Sequence, residues 1–421
     1  MPDHKLSQLA ETLIGSEIVK LGADIKEKIR QGQKIYNFTI GDFDSAIFPI
    51  PEELREAILD AYRNELTTYP PADGIPELRQ AVSNFLNTRE GLDYSPGEIL
   101  IAAGGRPLIY AAYRTVVDKG DKVIYPVPSW NNNHYVHFTE GEHVLIPTRE
   151  ENNFMPTAEE IRPHLPGARM LALCSPLNPT GTTFSRENLD AICRIILDEN
   201  NRRGPGEKKL FLLFDQIYWT LTFGNTVHHN PVSLYPEMKA YTIFIDGISK
   251  AFAATGVRVG WSMAPENIIA KMKAINSHVG AWSPMAEQHA TARYLSRSAS
   301  IDNYLHTFKS EIEVRLQEIY KGILQLQQEG FPVKAIAPQA AIYLTVSINL
   351  AGKKTTDGKL IADQKAVTAY LLEKAGLAVV PFSAFGAPAD SCWYRLSVGT
   401  CIKEEIPEML EKLKDALRHL S

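Results

Sequence analysis

Residues 246–261, DGISKAFAATGVRVGW, are the most informative stretch of this chain. They follow residues 241–245, an apolar run rich in β-branched and aromatic residues that is typical of a buried strand. Lys250 then stands among small or uncharged residues, and enclosure in a pocket would lower the pKa of its amine and make it a nucleophile. Arg258, eight positions later, is a permanent cation suited to a cluster of anionic oxygens. A lone lysine after a strand is more often an exposed residue, so the rest of the chain has to supply its partners.

The pattern S-K-x5-G-x-R-x-G in this segment resembles the lysine segment of the class I and II aminotransferases, the aspartate aminotransferase-like family. In that family the lysine forms a Schiff base with pyridoxal 5′-phosphate and the arginine binds the phosphate of this cofactor. The resemblance implies these roles for Lys250 and Arg258, and it places Ser249 among the cofactor-binding residues. Gly256 and Gly260 flank the arginine and would let backbone or ligand approach it closely.

Four more apolar runs are predicted strands, and helical patterns such as residues 186–197 lie between them. The runs are residues 98–102, 122–125, 170–174 and 210–214. This alternation predicts an α/β fold with a mainly parallel sheet and right-handed crossovers. Because functional sites in such sheets lie at the carboxyl ends of the strands, the residues that follow these runs are expected to meet.

The residues after these strands resemble the cofactor-binding positions of the family, in the same order along the chain. They are Gly104, Gly105 and Arg106, then Trp130, then Asn178 in SPLNPTG, and finally Asp215 and Tyr218 in DQIY. The last string departs from the family's D-E-x-Y pattern, because glutamine replaces glutamate at position 216.

Each of these residue types suits one part of pyridoxal phosphate. A glycine turn that opens a helix presents backbone N–H groups to a phosphate, and an indole such as Trp130 stacks on a flat cationic ring. The resemblance implies that Asp215 pairs with the pyridine nitrogen, which makes the ring an electron sink. Asn178 and Tyr218 are expected to bond the phenolic oxygen of the ring. A core tryptophan, a helix N-cap and a plain turn are the structural alternatives at Trp130, Asp215 and Asn178.

Three further residues extend the resemblance to the substrate and to a second subunit. Arg395, in an R-L-S context, matches the arginine that grips the substrate α-carboxylate through a bidentate fork, with a structural ion pair as the alternative. Gly41 corresponds to a glycine against the same carboxylate, or to a plain turn, and Asn178 and Trp130 are expected to border the substrate. Tyr69 matches a tyrosine that reaches the phosphate of the other subunit's cofactor, which implies a homodimer with shared active sites. Its alternative is a rigid aromatic in a proline turn.

Both ends of the chain are predicted to form a smaller α+β domain beside a larger three-layer α/β/α domain. An apolar stripe of Ile18, Leu21, Ile25 and Ile29 predicts an amphipathic helix near the N-terminus. The other predicted elements are a strand over 34–40, a helix over 51–62, a long helical pattern over 285–328, strands over 341–348 and 378–381, and a last helix over 406–420. We expect a large cofactor-binding domain over residues 50–300 and a small domain from residues 1–49 and 301–421, as in fold type I enzymes.

Composition narrows the class of protein. The chain has 421 residues, 44% of them hydrophobic and 22% charged, which is ordinary for a folded protein with a large core. A net charge of −5 gives no general attraction to nucleic acid or to anionic membranes. The four cysteines lack the paired spacing of metal ligands and are interpreted as reduced thiols. With no apolar run long enough to cross a bilayer and no signal-peptide core, we expect a cytoplasmic enzyme without a metal site.

The sequence is therefore interpreted as a pyridoxal-phosphate-dependent aminotransferase that moves an amino group from an L-amino acid to a 2-oxo acid. Lys250 would also be its proton-transferring base. A carbon–sulfur β-lyase or a cyclopropane-forming synthase of the same fold is the alternative, because fold and cofactor do not fix the reaction. A non-catalytic sensor domain of a transcription regulator is disfavoured, since the residues before Gly41 leave no room for a DNA-binding module.

The side chain of the amino donor is predicted to be neutral. Residues 276–284, where dicarboxylate-specific relatives place a further arginine, contain no arginine or lysine. Burial of an unpaired substrate carboxylate would be costly. Trp282, with Ile47 and Phe48, could instead line a pocket for an apolar or aromatic side chain.

Overall fold

The computed structural model describes residues 5–15 and 17–420, and the side chains of residues 17–20 lie outside the description. Its helices are α1 (Gln8–Thr12), α2 (Glu17–Arg30), α3 (Glu52–Arg63), α4 (Pro76–Glu90), α5 (Gly105–Val116), α6 (Asn132–Thr139), α7 (Ala158–Ile161), α8 (Arg186–Arg202), α9 (Pro231–Leu234), α10 (Ile248–Ala251), α11 (Glu266–Val279), α12 (Met285–Leu295), α13 (Ser298–Gln328), α14 (Gln364–Lys374) and α15 (Ile406–Arg418). Its strands are β1 (Tyr36–Asn37), β2 (Ile99–Ala102), β3 (Lys122–Val127), β4 (Glu142–Pro147), β5 (Ala168–Cys174), β6 (Phe211–Asp215), β7 (Thr242–Gly247), β8 (Gly260–Met263), β9 (Val333–Ala335), β10 (Tyr343–Ile348), β11 (Leu377–Ala378), β12 (Val380–Pro381) and β13 (Trp393–Ser397).

The larger sheet has the strand order β2-β8-β7-β6-β5-β3-β4. Strands β4, β3, β5, β6 and β7 are parallel, whereas β8 runs antiparallel to both β7 and β2. The prediction of a mainly parallel sheet is confirmed. Strands β4 and β8 were not predicted, because β4 is half polar and β8 is four residues long and opens with a glycine.

Both faces of this sheet are covered, which explains why its strands are apolar throughout. Leu212 and Phe214 belong to a core shared with α4, α8 and α12, while the intervening Leu213 belongs to a second core with α5 and α11. Successive strand residues point to opposite faces, so a continuous apolar run is required when both faces are buried. The structure is therefore a three-layer α/β/α arrangement, as expected.

The smaller sheet, of order β12-β13-β10-β9, is antiparallel and packs with α13 and its neighbours. The N-terminal part of the chain joins this region, because β1 pairs in parallel with β11 and the Phe38 amide bonds the Ala378 carbonyl at 3.0 Å. The division of the chain near residues 50 and 300 stays a prediction.

Some predicted bounds were wrong. The strand predicted over 34–40 is reduced to the two residues of β1, and the helical pattern over 285–328 is divided into α12 and α13 at Ser296 and Arg297. In α2, Ile25 is buried, Ile29 is 48% exposed, and the side chain of Ile18 lies outside the described residues.

Candidate active site

A cavity of about 850 Å³ lies beyond the carboxyl ends of β5, β6 and β7, between the two sheets. Most residues expected to bind cofactor or substrate line it. They are Gly41, Gly105, Arg106, Trp130, Asn178, Asp215, Tyr218, Ser249, Lys250, Arg258 and Arg395. Residues up to 354 positions apart, from Gly41 to Arg395, therefore meet in one cavity. The parallel strands of the larger sheet bring the residues that follow them to one edge, and Gly41 and Arg395 reach this edge from the loop after β1 and from β13.

Lys250 reaches the cavity from α10, the single helical turn that follows β7. The turn begins at Gly247, where a Cβ atom would lie 2.8 Å from the Gly260 Cα and the Val259 carbonyl oxygen, so only glycine fits without a shift of β8. Nζ of Lys250 donates to the carbonyl oxygen of Gly41 at 2.6 Å. Burial lowers the pKa of Lys250 to about 8, and Asp42 opposes this shift. A substantial fraction of the amine is therefore neutral near physiological pH.

An anion cradle lies between the start of α5 and Arg258. Gly104 has φ of 86°, and a Cβ there would lie 2.2 Å from Nη2 of Arg258. The guanidinium is held by the carbonyl oxygens of Ala103, at 2.6 Å, and Thr255, at 2.7 Å. Arg258 itself has φ of 61°, a left-handed conformation that costs roughly 1–2 kcal/mol. Free N–H groups at the start of α5 and this guanidinium suit a phosphate.

The glycines beside Arg258 differ in their requirement for space. A Cβ at Gly260 would lie 2.7 Å from the backbone of Gly104, so the predicted close approach is confirmed there. At Gly256 a Cβ would meet nothing within 4 Å, so no described residue makes a close approach there, and the approach of a ligand stays a prediction.

Asp215 ends β6 and lines the cavity, beside Cys174 in the sheet register. Its Oδ1 accepts from the amide of Ile217 at 3.0 Å, which is an N-cap-like contact, and burial raises the pKa of this carboxyl to about 6. A buried carboxyl with a raised pKa is stabilised in its ionised form by a cationic partner.

The opposite wall holds a buried arginine that is already oriented. Arg395 is 2% exposed and donates to Oδ1 of Asn178 at 3.0 Å and to the carbonyl oxygen of Thr39 at 2.7 Å. Its Nε is buried without a partner. The arrangement therefore contradicts the structural ion-pair alternative, since its side-chain partners are neutral groups.

Two phenols meet beneath this arginine. The hydroxyl groups of Tyr218 and Tyr343 are 2.6 Å apart, and Tyr343 lies under the Arg395 guanidinium at 4.7 Å. Sequence reasoning missed Tyr343, which carries no local motif, and it missed Asp42, which accepts from Thr255 at 2.6 Å. It also missed residues 13–15, which line the mouth of the cavity.

The backbone and the side chain of Arg106 lie in different regions of the site. Its backbone lies in the first turn of α5, while its guanidinium lies over the Trp130 ring at 4.7 Å. Within the described residues this guanidinium has no carboxylate partner, although it lines the cavity.

The comparisons with known proteins agree with this geometry. The family model described as "Aminotransferase class I and II" matches residues 33–413. The aspartate aminotransferase of Bacillus sp. (strain YM-2) is 30% identical over 411 residues, which are 97% of this chain and 98% of the relative. The crystal structure of the aspartate aminotransferase from Rhizobium meliloti has a TM-score of 0.90 at 29% identity, covering 99% of this chain and 100% of that chain.

The chain belongs to the class I and II aminotransferases. A third relative, the Thermus thermophilus aspartate aminotransferase solved with maleate, has a TM-score of 0.86 at 28% identity and covers 98% and 100% of the two chains. The protein is thus a fold type I enzyme that depends on pyridoxal phosphate and transfers an amino group between an amino acid and a 2-oxo acid.

The cavity of this aminotransferase fits its cofactor. It offers an amine of lowered pKa, a cradle that a Cβ at Gly104 would fill, and a buried carboxyl that lacks a cationic partner among the described residues.

A search of the described residues for a membrane-spanning helix, which would need sufficient length and hydropathy, finds none.

Some residues expected near the site lie elsewhere in the protomer. Tyr69 is 84% exposed and packs edge-on against Trp282 at 5.3 Å, beside a second cavity of about 540 Å³. Phe48 is buried against Phe43 and Phe308, and neither it nor Ile47 lines the active-site cavity. The predicted apolar pocket of Ile47, Phe48 and Trp282 was therefore wrong for a single protomer.

Proposed function

We propose that this cavity is the active site of the aminotransferase and that Lys250 is its covalent and proton-transferring residue. The supporting observation is that one cavity holds a lysine of lowered pKa together with the three guanidinium groups of Arg106, Arg258 and Arg395. When bound, pyridoxal phosphate supplies an electron-accepting ring that stabilises the negative charge left at the substrate Cα. Lys250 would hold the cofactor through Nζ and, once the substrate amine replaces it, would take the proton from Cα.

The other residues would hold the cofactor and exclude water from it. The backbone N–H groups of Gly105 and Arg106, the hydroxyl of Ser249 and the guanidinium of Arg258 would bind the phosphate. The Gly104 N–H donates to the Ala102 carbonyl oxygen at 2.7 Å, so Gly104 would contribute mainly by leaving room for the phosphate. Asp215 would keep a proton on the ring nitrogen, Asn178 and Tyr218 would bond the phenolic oxygen, and Trp130 would cover one face of the ring.

The substrate α-carboxylate would bind the Arg395 guanidinium, next to Asn178, Trp130 and Gly41. A Cβ at Gly41 would lie 2.9 Å from the Tyr343 hydroxyl and 3.6 Å from Nη1 of Arg395, so a side chain there would occupy this space. A fork-shaped guanidinium with a buried, unpartnered Nε suits a planar carboxylate.

Lys250→Ala tests the central assignment. Borohydride reduction of the cofactor-loaded protein, followed by peptide mapping, should label Lys250, and the variant should lose the label and nearly all turnover. Lys271→Ala, an exposed lysine of α11, is the matched control and should keep both. A reduced adduct on another lysine of the wild-type protein would refute the assignment.

We further propose that the preferred amino donor is acidic, with aspartate as the reference substrate. The relatives from Bacillus sp. (strain YM-2) and Rhizobium meliloti are named aspartate aminotransferases, and the one from Thermus thermophilus was solved with maleate, a dicarboxylate. Among the described residues the Arg106 guanidinium has no carboxylate partner, and Arg106 lines the cavity, which removes the physical objection to a second substrate carboxylate. The expectation of a neutral donor depended on the absence of arginine and lysine from residues 276–284 and on a pocket of Trp282, Ile47 and Phe48, three residues that do not line the cavity of one protomer.

Half-reactions with aspartate, glutamate, alanine, leucine and phenylalanine test this proposal. A hydrogen bond to a charged group contributes about 1.5–3 kcal/mol, so Arg106→Gln should lower kcat/KM for aspartate by roughly 10- to 150-fold. Alanine, which has no distal carboxylate, is the matched control and should change much less. If leucine or phenylalanine reacts faster than aspartate with the wild-type enzyme, the donor is instead read by the apolar wall of Leu13, Ile14 and Phe138.

We also propose a homodimer in which Tyr69 completes the phosphate site of the partner, and a cytoplasmic location in keeping with four free cysteines. An 84% exposed tyrosine beside Trp282 supports an interface at this surface. Mixing Tyr69→Phe and Lys250→Ala protomers should produce hybrids with one intact site and tighter cofactor binding than the Tyr69→Phe homodimer. A fully active monomer at nanomolar concentration would refute the shared site.

A further inference from the structure

A buried carboxyl group that takes no part in the proposed mechanism lies directly behind the site. Asp246 is the fifth residue of β7, four positions before Lys250, and it is 0% exposed. Burial of a carboxyl without partners would be costly, so its contacts indicate what it stabilises.

The contacts of Asp246 reach two segments of the active site. Oδ1 accepts from the amide of Gly247 at 2.7 Å, at the start of the turn that carries Lys250. Oδ2 accepts from Nε1 of Trp219 at 2.9 Å, and Trp219 is the neighbour of Tyr218. One carboxyl group therefore connects the turn of Lys250 with the loop of Tyr218.

Gln216 adds the third segment, because it directly follows Asp215. Its side chain is 0% exposed, and the pairing of Asp215 with Ile245 in the sheet places Gln216 beside Asp246. Burial raises the pKa of Asp246 and the Gln216 amide opposes this shift, although neither polar atom of the amide has a well-aligned hydrogen-bond partner among the described residues. The backbone amide of Gln216 donates to the carbonyl oxygen of Ile245 at 3.0 Å. Gln216 therefore lies against the end of β7 through both its backbone and its side chain.

We infer that Asp246 is a positioning residue for amino-group transfer, and that with Gln216 it sets the separation of Asp215, Tyr218 and Lys250. This inference rests on the proposed roles of those three residues. Asp246 does not line the cavity, so no direct contact with cofactor or substrate is expected of it. Errors of about 1 Å in the placement of reacting groups lower rates by about 100-fold, so a rigid link between three such groups has a functional effect.

Asp246→Asn is the first test, because asparagine has nearly the same shape as aspartate. The amide retains one acceptor, and its NH₂ group faces either the Trp219 or the Gly247 donor, so one of the two links is lost. We expect kcat to fall by about 10- to 100-fold. KM for the donor should change little, because the α-carboxylate is expected to bind Arg395 on β13. In the cofactor-free protein, the midpoint of Lys250 reactivity against pH should rise, since a loosened turn admits water to the amine.

Gln216→Glu tests the contact between the two side chains. Two buried carboxyls in contact do not both ionise, so the activity of this variant relative to wild type should fall with rising pH. Glu90 of α4 also acts on Asp246, and His228 lies 3.6 Å from Glu90, so both are retained in every variant. Because burial raises the pKa of Glu90 to about 7, wild type is measured at each pH for comparison.

The swap Gln216→Glu with Asp246→Asn is the decisive experiment. The double variant again has one carboxyl and one amide, with their positions exchanged. Its kcat should be at least 10-fold higher than that of Asp246→Asn. Its activity relative to wild type should no longer fall with rising pH, as that of Gln216→Glu does. Trp219→Phe, which deletes only the indole donor, should lower kcat in the same direction if Asp246→Asn does not fold. Asp246→Asn with wild-type kcat, or a swap no better than either single variant, would overturn the inference. Loss of turnover in Lys250→Ala beside a fully active Asp246→Asn would leave the proposed function intact while rejecting this role.

Discussion

The lowered pKa of Lys250 leads to a prediction with a definite sign in two variants. The pKa is lowered from 10.5 to about 8, mainly by burial; the guanidinium groups of Arg395, Arg106 and Arg258 act in the same direction, and Asp42 opposes them. Arg106→Gln should therefore raise the pH midpoint of the Lys250 titration, and Asp42→Asn should lower it. Each shift should be about 0.5–1 pKa unit, because each variant removes one nearby charge.

These two variants disturb little else. Asparagine at position 42 can still accept from Thr255 and from the Phe43 amide with its Oδ1, and the Arg106 guanidinium forms no ion pair within the described residues. With a pKa of about 8, roughly a quarter of the Lys250 amine is neutral at pH 7.5, against about 0.1% for an ordinary lysine.

Trace acetylation of the cofactor-free protein with acetic anhydride, followed by mass spectrometry of the Lys250 peptide, measures this titration from pH 6 to 11. Exposed Lys271 of α11 provides the internal reference for reagent reactivity. A wild-type midpoint near 10.5, or shifts of the same sign in Asp42→Asn and Arg106→Gln, would refute the electrostatic account of this lysine.

Three further outcomes are expected. Gly104→Ala should weaken cofactor binding at least 10-fold, because its Cβ would lie 2.2 Å from the Arg258 guanidinium. Gly256→Ala, whose Cβ would meet nothing within 4 Å, is the control and should bind the cofactor as wild type does. Equal dissociation constants for the two variants would contradict the assignment of the anion cradle. Asp215→Asn should retain the cofactor but slow single-turnover proton transfer at least 100-fold, and an unchanged rate would exclude a role for the carboxylate. Lys250→Met should stabilise the cofactor-free protein against urea by up to about 3 kcal/mol at pH 7, because a pKa lowered by folding means that the unfolded chain holds more protons. That gain should be complete below pH 8 and should disappear as pH rises towards 10.5, and a gain that is independent of pH would have another cause.

Much of the site could be predicted because its residues follow buried strands. An apolar run and the polar residue after it are adjacent in sequence, so the ends of β5, β6 and β7 were recognisable without any knowledge of contacts. The predicted roles at Lys250, Asp215 and Arg395 remain to be tested, but their meeting in one cavity is observed.

The sequence by itself determined five buried strands of the larger sheet, the ends at which polar residues stand, and the resemblance that identifies the cofactor. Those features depend on neighbours along the chain, through burial on both faces of a strand and the conformations that glycine and proline allow. The tertiary structure alone decided that Tyr343 meets Tyr218, that Gly104 leaves room for Arg258, and that Arg106 rather than Trp282 lines the cavity. It alone placed Asp246 against Trp219 and Gln216. Such contacts join residues far apart in sequence, and they arise only when the strands take their positions in the sheet.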